Sequence, residues 1–125
     1  MFVLDASALL ALLFEEPGHD RVALAADRAA VSTVNLAEVL TRFARAGHPV
    51  AAVLANLSTF AIEWVPFDEA HAGEVAALWP KTRHAGLSLA DRACLALALD
   101  RGLPVLTADR VWAELGLPVD IRLIR

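Results

Sequence analysis

Asp5, Glu38, Asp91 and Asp109 are spread over nearly the whole chain, yet each stands where a short apolar or β-branched run gives way to a helical pattern. The runs are Phe2-Val3-Leu4 before Asp5, Val31-Ser32-Thr33-Val34-Asn35-Leu36-Ala37 before Glu38, Leu87-Ser88-Leu89-Ala90 before Asp91 and Pro104-Val105-Leu106-Thr107-Ala108 before Asp109. Carboxylates gathered at strand ends, with no comparable cluster of His or Cys, suit a hard oxygen-seeking cation such as Mg²⁺ or Mn²⁺. A helix start also favours an acid for its own sake. Ser88-x-x-Asp91 and Asn35-x-x-Glu38 both approximate a capping box, and Asp109 or Asp5 could cap the helices that follow them. Ser88, Asn35 and Thr107 already supply a capping group at three of these places, so the acids are left to explain.

The elements that must position these residues alternate between β-type runs and helical patterns, without a low-complexity linker or internal repeat. The pattern predicts strands near 2–5, 30–34, 62–66, 104–107 and 119–124, and helices near 7–14, 20–29, 36–46, 50–61, 69–79, 89–101 and 110–115. Gly18, Gly47, Gly102 and Gly116, each beside a proline or one residue from it, read as helix exits. The segment from Leu89 is apolar almost all round and reads as a buried central helix. Such alternation favours an α/β fold with a mostly parallel sheet covered by helices on both faces. In that architecture ligands sit beyond the carboxyl ends of the strands, where Asp5 and Asp109 would emerge.

Length and composition narrow the rest. Residues 1–125 are the size of one domain with one core. The lone Cys94 reads as a small buried thiol and excludes a disulfide within the chain. The amino end lacks a basic leader or a small-residue cleavage site, which predicts a cytoplasmic protein. No run of about 18 apolar residues is present, so the 58% hydrophobic content belongs to core or interface and not to a membrane span. A net charge of −4 argues against holding nucleic acid mainly through a basic field, although a bound cation would invert the charge of an acidic pocket. Arg42, Arg45, Lys81, Arg83, His84, Arg92 and Arg110 lie in segments near the acids. His19, His48, His71 and His84 have no ligand-like mutual spacing and read as non-ligands. Trp112 reads as packing beneath the site. No glycine-rich nucleotide loop is present.

These segments closely resemble the PIN-domain ribonucleases, and within them the compact VapC-like toxins of type II toxin–antitoxin systems. The resemblance runs through Val3-Leu4-Asp5-Ala6-Ser7-Ala8-Leu9-Leu10, Asn35-Leu36-Ala37-Glu38-Val39, Leu87 to Ala96 and Leu106-Thr107-Ala108-Asp109, and covers essentially the whole chain. It implies a three-layer α/β/α domain with a five-stranded sheet and a Mg²⁺- or Mn²⁺-dependent endoribonuclease site that cleaves RNA. Asp5, Glu38, Asp91 and Asp109 fall on the family's four acidic positions, and Ser7 and Thr107 on its accessory hydroxyl positions. It implies, further, a homodimer and a cognate antitoxin whose tail lies near the acidic pocket. Ala90 departs from the glycine that many relatives carry there. Phosphodiester hydrolysis places charge on the non-bridging and leaving oxygens, so carboxylates that hold a cation serve it well. On this expectation Asp5 and Asp91 are the principal ligands, with Asp109 and Glu38 completing the site. Two other readings stay open: a small phosphotransfer or phosphohydrolase domain, and a catalytically silent partner-binding module in which the acids are caps. Against the former, Asp5-Ala6-Ser7 lacks a second Asp two residues on. For partner binding, the candidate surfaces are Leu9 to Phe14 and the helix near 50–61.

Overall fold

The computed structural model describes residues 1–125. Five strands, β1 (Phe2–Leu4), β2 (Ala29–Ser32), β3 (Glu63–Val65), β4 (Val105–Thr107) and β5 (Ile121–Leu123), form one sheet in the order β3-β2-β1-β4-β5. Every pairing is parallel. The chain builds outward from β1 through β2 to β3, then returns to the other side of β1 for β4 and β5. This reversal makes the gap between the carboxyl ends of β1 and β4 the topological switch point, where an open α/β sheet leaves a crevice.

Alternation along the strands sorts the core into two layers. Leu4, Ala29, Val31 and Leu106 face one side, among residues of α1 (Ala6–Phe14), α2 (His19–Ala26), α3 (Thr33–Arg45) and α4 (Val50–Leu57). Val3, Ala30, Val65 and Val105 face the other, among residues of α5 (Glu69–Thr82) and α6 (Leu89–Arg101). The period of two that sends neighbours to opposite faces is the physical origin of the three layers. Ala93 to Ala98 are all buried, so α6 is the central helix that its all-round apolar sequence predicts.

Several boundaries differ from the sequence expectation. Ser32 caps α3 by accepting from the Val34 amide, so the helix starts at Thr33 and Asn35 lies inside it. α4 stops at Leu57, before the expected 61, with Ser58 as its cap. α5 runs through Pro80 to Thr82, because one missing N–H in the last turn is a local loss and the Thr82 hydroxyl donates to the Leu78 carbonyl. The expected helix at 110–115 is a short 3₁₀ turn over Arg110–Glu114.

Gly18 is not the exit of α1. Glu15 closes that helix in the left-handed region, and Gly18, at φ +93°, opens α2. A Cβ built there would lie 2.3 Å from the backbone oxygen of Ile124, so the carboxyl end of the chain packs against a position that only glycine fits. Gly86 also has positive φ, +66°, but faces open space. The Gly18→Ala variant should therefore lose clearly more stability than Gly86→Ala, for which left-handed strain costs about 1 kcal/mol. Urea midpoints of the two variants check this, and equal midpoints would contradict it.

Candidate active site

Asp5 follows the central strand and caps α1, accepting from the Ala8 amide through Oδ1 at 2.9 Å. Only 4% of it is exposed, so its charge is held by hydrogen bonds and not by water. The Ser7 hydroxyl lies 2.7 Å from Oδ1 and 2.9 Å from Oδ2, and Thr107 donates to Oδ2 at 2.6 Å. Each hydroxyl also accepts a backbone amide from the loop after β4: Ser7 from Ala108 at 2.9 Å, Thr107 from Asp109 at 3.0 Å. With both protons committed to Asp5, the two hydroxyls form a closed bracket across the switch point, joining the ends of β1 and β4.

Asp91 sits in the first turn of α6. It forms the capping box with Ser88, its Oδ2 accepting from the Ser88 amide at 3.0 Å while the Asp91 amide donates to the Ser88 hydroxyl at 3.1 Å. The box engages a single oxygen of Asp91. The second expected box does not form: because Ser32 caps α3, Asn35 is buried and its Nδ2 donates to the Ala90 carbonyl at 3.0 Å. That bond ties α3 to the start of α6 and brings Glu38 toward Asp91. Glu38 is left with no capping duty. It lines an open groove of 890 Å³ together with Leu10, Phe14, Thr41, Arg42 and Arg45.

The acids act on one another. Burial pushes the Asp5 carboxyl above its ordinary range, against the lowering effect of Thr107, Ser7 and the Ala8 amide, and the charge of Asp91 adds to the rise. Glu38 is raised by partial burial, then by Asp91 and Asp5. The buried Cys94 thiol is held well above its normal value by burial first, then by the charges of Asp5, Asp91 and Glu38. A thiol so disfavoured as thiolate is an inert core group. None of the four acids takes part in an ion pair. Asp109 stands apart in role: it caps the 3₁₀ turn, accepting from the Val111 amide at 3.1 Å, and its own amide is held by Thr107.

The structure thus brings Asp5, Glu38 and Asp91 within electrostatic reach of one another and puts Ser7, Thr107 and Asp109 on the same rim. Their ligand atoms do not meet as closely as a gripping set does, since no three of these acids have ligand atoms within 4.8 Å of each other. The donor set, carboxylate oxygens without a paired cation, matches the chemistry of Mg²⁺ or Mn²⁺.

Other expected residues have different duties. Arg92, from the set near the acids, donates Nη1 to the Val75 carbonyl at 3.0 Å and ties α6 to α5. Trp112 is 1% exposed and packs beneath the surface, as the sequence suggests. A His/Glu/Asp cluster consistent with a divalent-metal site is formed by His71, Glu74 and Asp100, whose ligand atoms all lie within 4.8 Å. Sequence reading misses it because His71 has no histidine or cysteine partner nearby. The signal available was His71-x-x-Glu74 at helical spacing, with Asp100 supplied by another helix.

The buried Asp5 gives a pH dependence of definite sign. Its folded carboxyl keeps a proton to higher pH than the unfolded one, at about 3.9, so its contribution to stability is full below the unfolded value and is lost as pH rises through the folded value. In EDTA, the unfolding free energy of the wild type should gain on that of Asp5→Asn as pH falls from about 7 toward about 4. A difference that stays flat over this range would contradict the burial argument.

Comparison with known proteins bears on this arrangement. No curated protein matches the chain. The PIN domain profile matches residues 2–117. Among solved structures, a member of the VapBC family of toxin–antitoxin systems, VapBC-5 from Mycobacterium tuberculosis, is 32% identical, with 99% of this chain and 97% of that one covered and a TM-score of 0.62. DNA-bound VapBC from Salmonella typhimurium is 21% identical over 99% of this chain and 98% of its own, with a TM-score of 0.77. The sarcin–ricin loop cleaving toxin VapC20 of M. tuberculosis is 15% identical over 96% and 99%, with a TM-score of 0.74. The two more distant likenesses speak to the fold, while the profile and the VapBC-5 relative settle kinship: the chain belongs to the PIN-domain family, with homology to toxin–antitoxin proteins of the VapBC type.

Proposed function

We propose that this chain, acting as one PIN-like domain over residues 1–125, is a Mg²⁺- or Mn²⁺-dependent endoribonuclease and the toxin component of a toxin–antitoxin pair. The observation that carries the reading is that Asp5, Glu38 and Asp91 come from three separate elements, that burial and then neighbouring carboxylate charge raise the Asp5 and Glu38 carboxyls above their ordinary range, and that none of the three is in an ion pair. Such an arrangement costs stability unless a cation is part of its working state. Glu38 argues further against a silent scaffold in which the acids are merely caps, because it caps nothing.

Asp5 and Asp91 are the principal ligands on this reading, with Glu38 and Asp109 completing the set directly or through water. When bound, a divalent cation supplies neutralising charge to the phosphate and lowers the pKa of a coordinated water. The chain's own residues do the positioning. Ser7 and Thr107 fix the Asp5 carboxylate by donating to it, and the Ser88 amide fixes one oxygen of Asp91 while leaving the other to turn toward the pocket. Glu38 is the acid least tied by hydrogen bonds and is suited to accept a proton from, or orient, the attacking water. Arg42 and Arg45, which share its groove, are placed to meet phosphates of an RNA strand.

The similar structures described as a toxin–antitoxin complex or as a member of a toxin–antitoxin family support an antitoxin partner. Phe14 is 46% exposed at the end of α1 and Leu54 40% exposed on α4, within the two segments whose sequence suggests a partner surface. A homodimer and a cytoplasmic location complete the proposal. No helix is long and apolar enough to cross a membrane.

Asp5→Asn and Asp91→Asn should each retain a cooperative melt and lose RNA cleavage by about 100-fold or more in Mg²⁺ or Mn²⁺, assayed against EDTA blanks. Full activity in a clean preparation of either would end the assignment. Ser7→Ala and Thr107→Val remove only the bracket. Each should cost about 10- to 100-fold in cation affinity, read as a shift in the metal concentration giving half-maximal cleavage.

A further inference from the structure

From the cluster at the far end of α6, we infer that His71, Glu74 and Asp100 form a second cation site, selective for a borderline transition metal of the zinc type, that clamps α5 to α6. The site is distinct from the acidic pocket. Asp91 and Asp100 sit at opposite ends of the same helix, about 14 Å apart along its axis, so one ion cannot serve both. Nor does the inference depend on the nuclease reading.

Three observations converge. The ligand atoms of His71, Glu74 and Asp100 all lie within 4.8 Å of one another, one pair coming from adjacent turns of α5 and the third from α6. The imidazole is oriented so that it can act as a ligand: Nδ1 lies 3.3 Å from the Pro66 carbonyl and 3.8 Å from Asp68 Oδ1, acceptors that suit the tautomer with its proton on Nδ1. In that tautomer Nε2 carries the lone pair, and it faces Asp100 Oδ2 3.7 Å away. A histidine whose other nitrogen donates to a backbone carbonyl is the usual arrangement at metal centres. Finally, Oε2 of Glu74 is shielded from solvent and has no hydrogen-bond partner. With the imidazole neutral, two carboxylates and a nitrogen lone pair face one another, and a bound cation supplies the positive centre that makes the arrangement favourable. Lys81 lines the neighbouring groove with Glu74 and Asp100 but pairs with neither.

One nitrogen and two carboxylate oxygens suit Zn²⁺, with Co²⁺ and Ni²⁺ as further fits, far better than Mg²⁺, which prefers oxygen alone. The groove beside the cluster gives the ion a path in and leaves a coordination position for water. Bound there, the ion ties the first turns of α5 to the last turn of α6, adding its binding energy to the stability of the layer that carries Asp91.

The test uses the full-length chain stripped with EDTA and dialysed, titrated with ZnCl₂ or MgCl₂ by calorimetry and by thermal melting. The wild type and the Asp5→Asn/Asp91→Asn double variant should both take up one equivalent of Zn²⁺, with the unfolding midpoint rising by about 5 °C or more at 100-fold excess over Kd. Mg²⁺ should give no such shift in the double variant. His71→Gln should weaken Zn²⁺ binding more than 10-fold. So should Asp100→Asn, which alters a half-exposed side chain and keeps the test open should His71→Gln fold poorly. Zinc titrations of Asp100→Asn that match the wild type would overturn the inference, as would zinc uptake abolished in the double variant.

Discussion

A single buried carboxylate, Asp5, sets the terms for the rest of the molecule. It lies just beyond the central strand, at the point where the order of the sheet reverses, and it is nearly closed off from solvent. A charge in that position must be answered by hydrogen bonds, and the chain answers with Ser7 from α1, Thr107 from the end of β4 and the Ala8 amide. The same hydroxyls hold the Ala108 and Asp109 amides. Satisfying one acid therefore fixes the geometry of both strand ends and the loop that carries another acid.

The second constraint is the burial of α6. Its apolar surface leaves polar groups only at its ends, and each end carries an acid that faces a neighbouring helix or loop. At the amino end, Asn35 of α3 takes the Ala90 carbonyl and draws Glu38 toward Asp91. At the carboxyl end, Asp100 meets His71 of α5, while Arg101 beside it makes a bidentate pair with Glu63 of β3 at 2.6 and 2.8 Å. That exposed pair holds Glu63 below its ordinary range through the Arg101 hydrogen bonds, yet solvent screening keeps its contribution to stability small. None of the pocket acids has such a partner, in keeping with a site whose charge is completed from outside the chain.

Much of this was readable in the residues. Alternation of β-type and helical runs foretold the parallel sheet, because parallel neighbours need crossover helices, and the four acids stood out where such runs give way to helices, while Ser7 and Thr107 were marked only by the family resemblance. Capping was less legible. Asn35-x-x-Glu38 and Ser88-x-x-Asp91 look alike in sequence, and only one forms a capping box. The difference lies in Ser32, which starts α3 three residues earlier, turns Asn35 into an interhelical strut and releases Glu38 for the pocket. Local pattern cannot separate these outcomes, since both serines and asparagines make good caps and the choice rests on where the preceding strand stops.

The sequence by itself determined the fold class and the buried helix and singled out the acids at the strand-to-helix transitions as candidates, because periodicity and such transitions are local properties of the chain. Tertiary structure alone decided which partners those acids have. Thr107 reaches Asp5 across about a hundred residues of chain, Asn35 reaches Ala90 across more than fifty, and His71 finds Asp100 only because α5 packs on α6. Hydrogen bonds and ligand sets are fixed by distances of a few ångströms, and such distances between remote segments exist only once the sheet and its two helical layers have closed around the core.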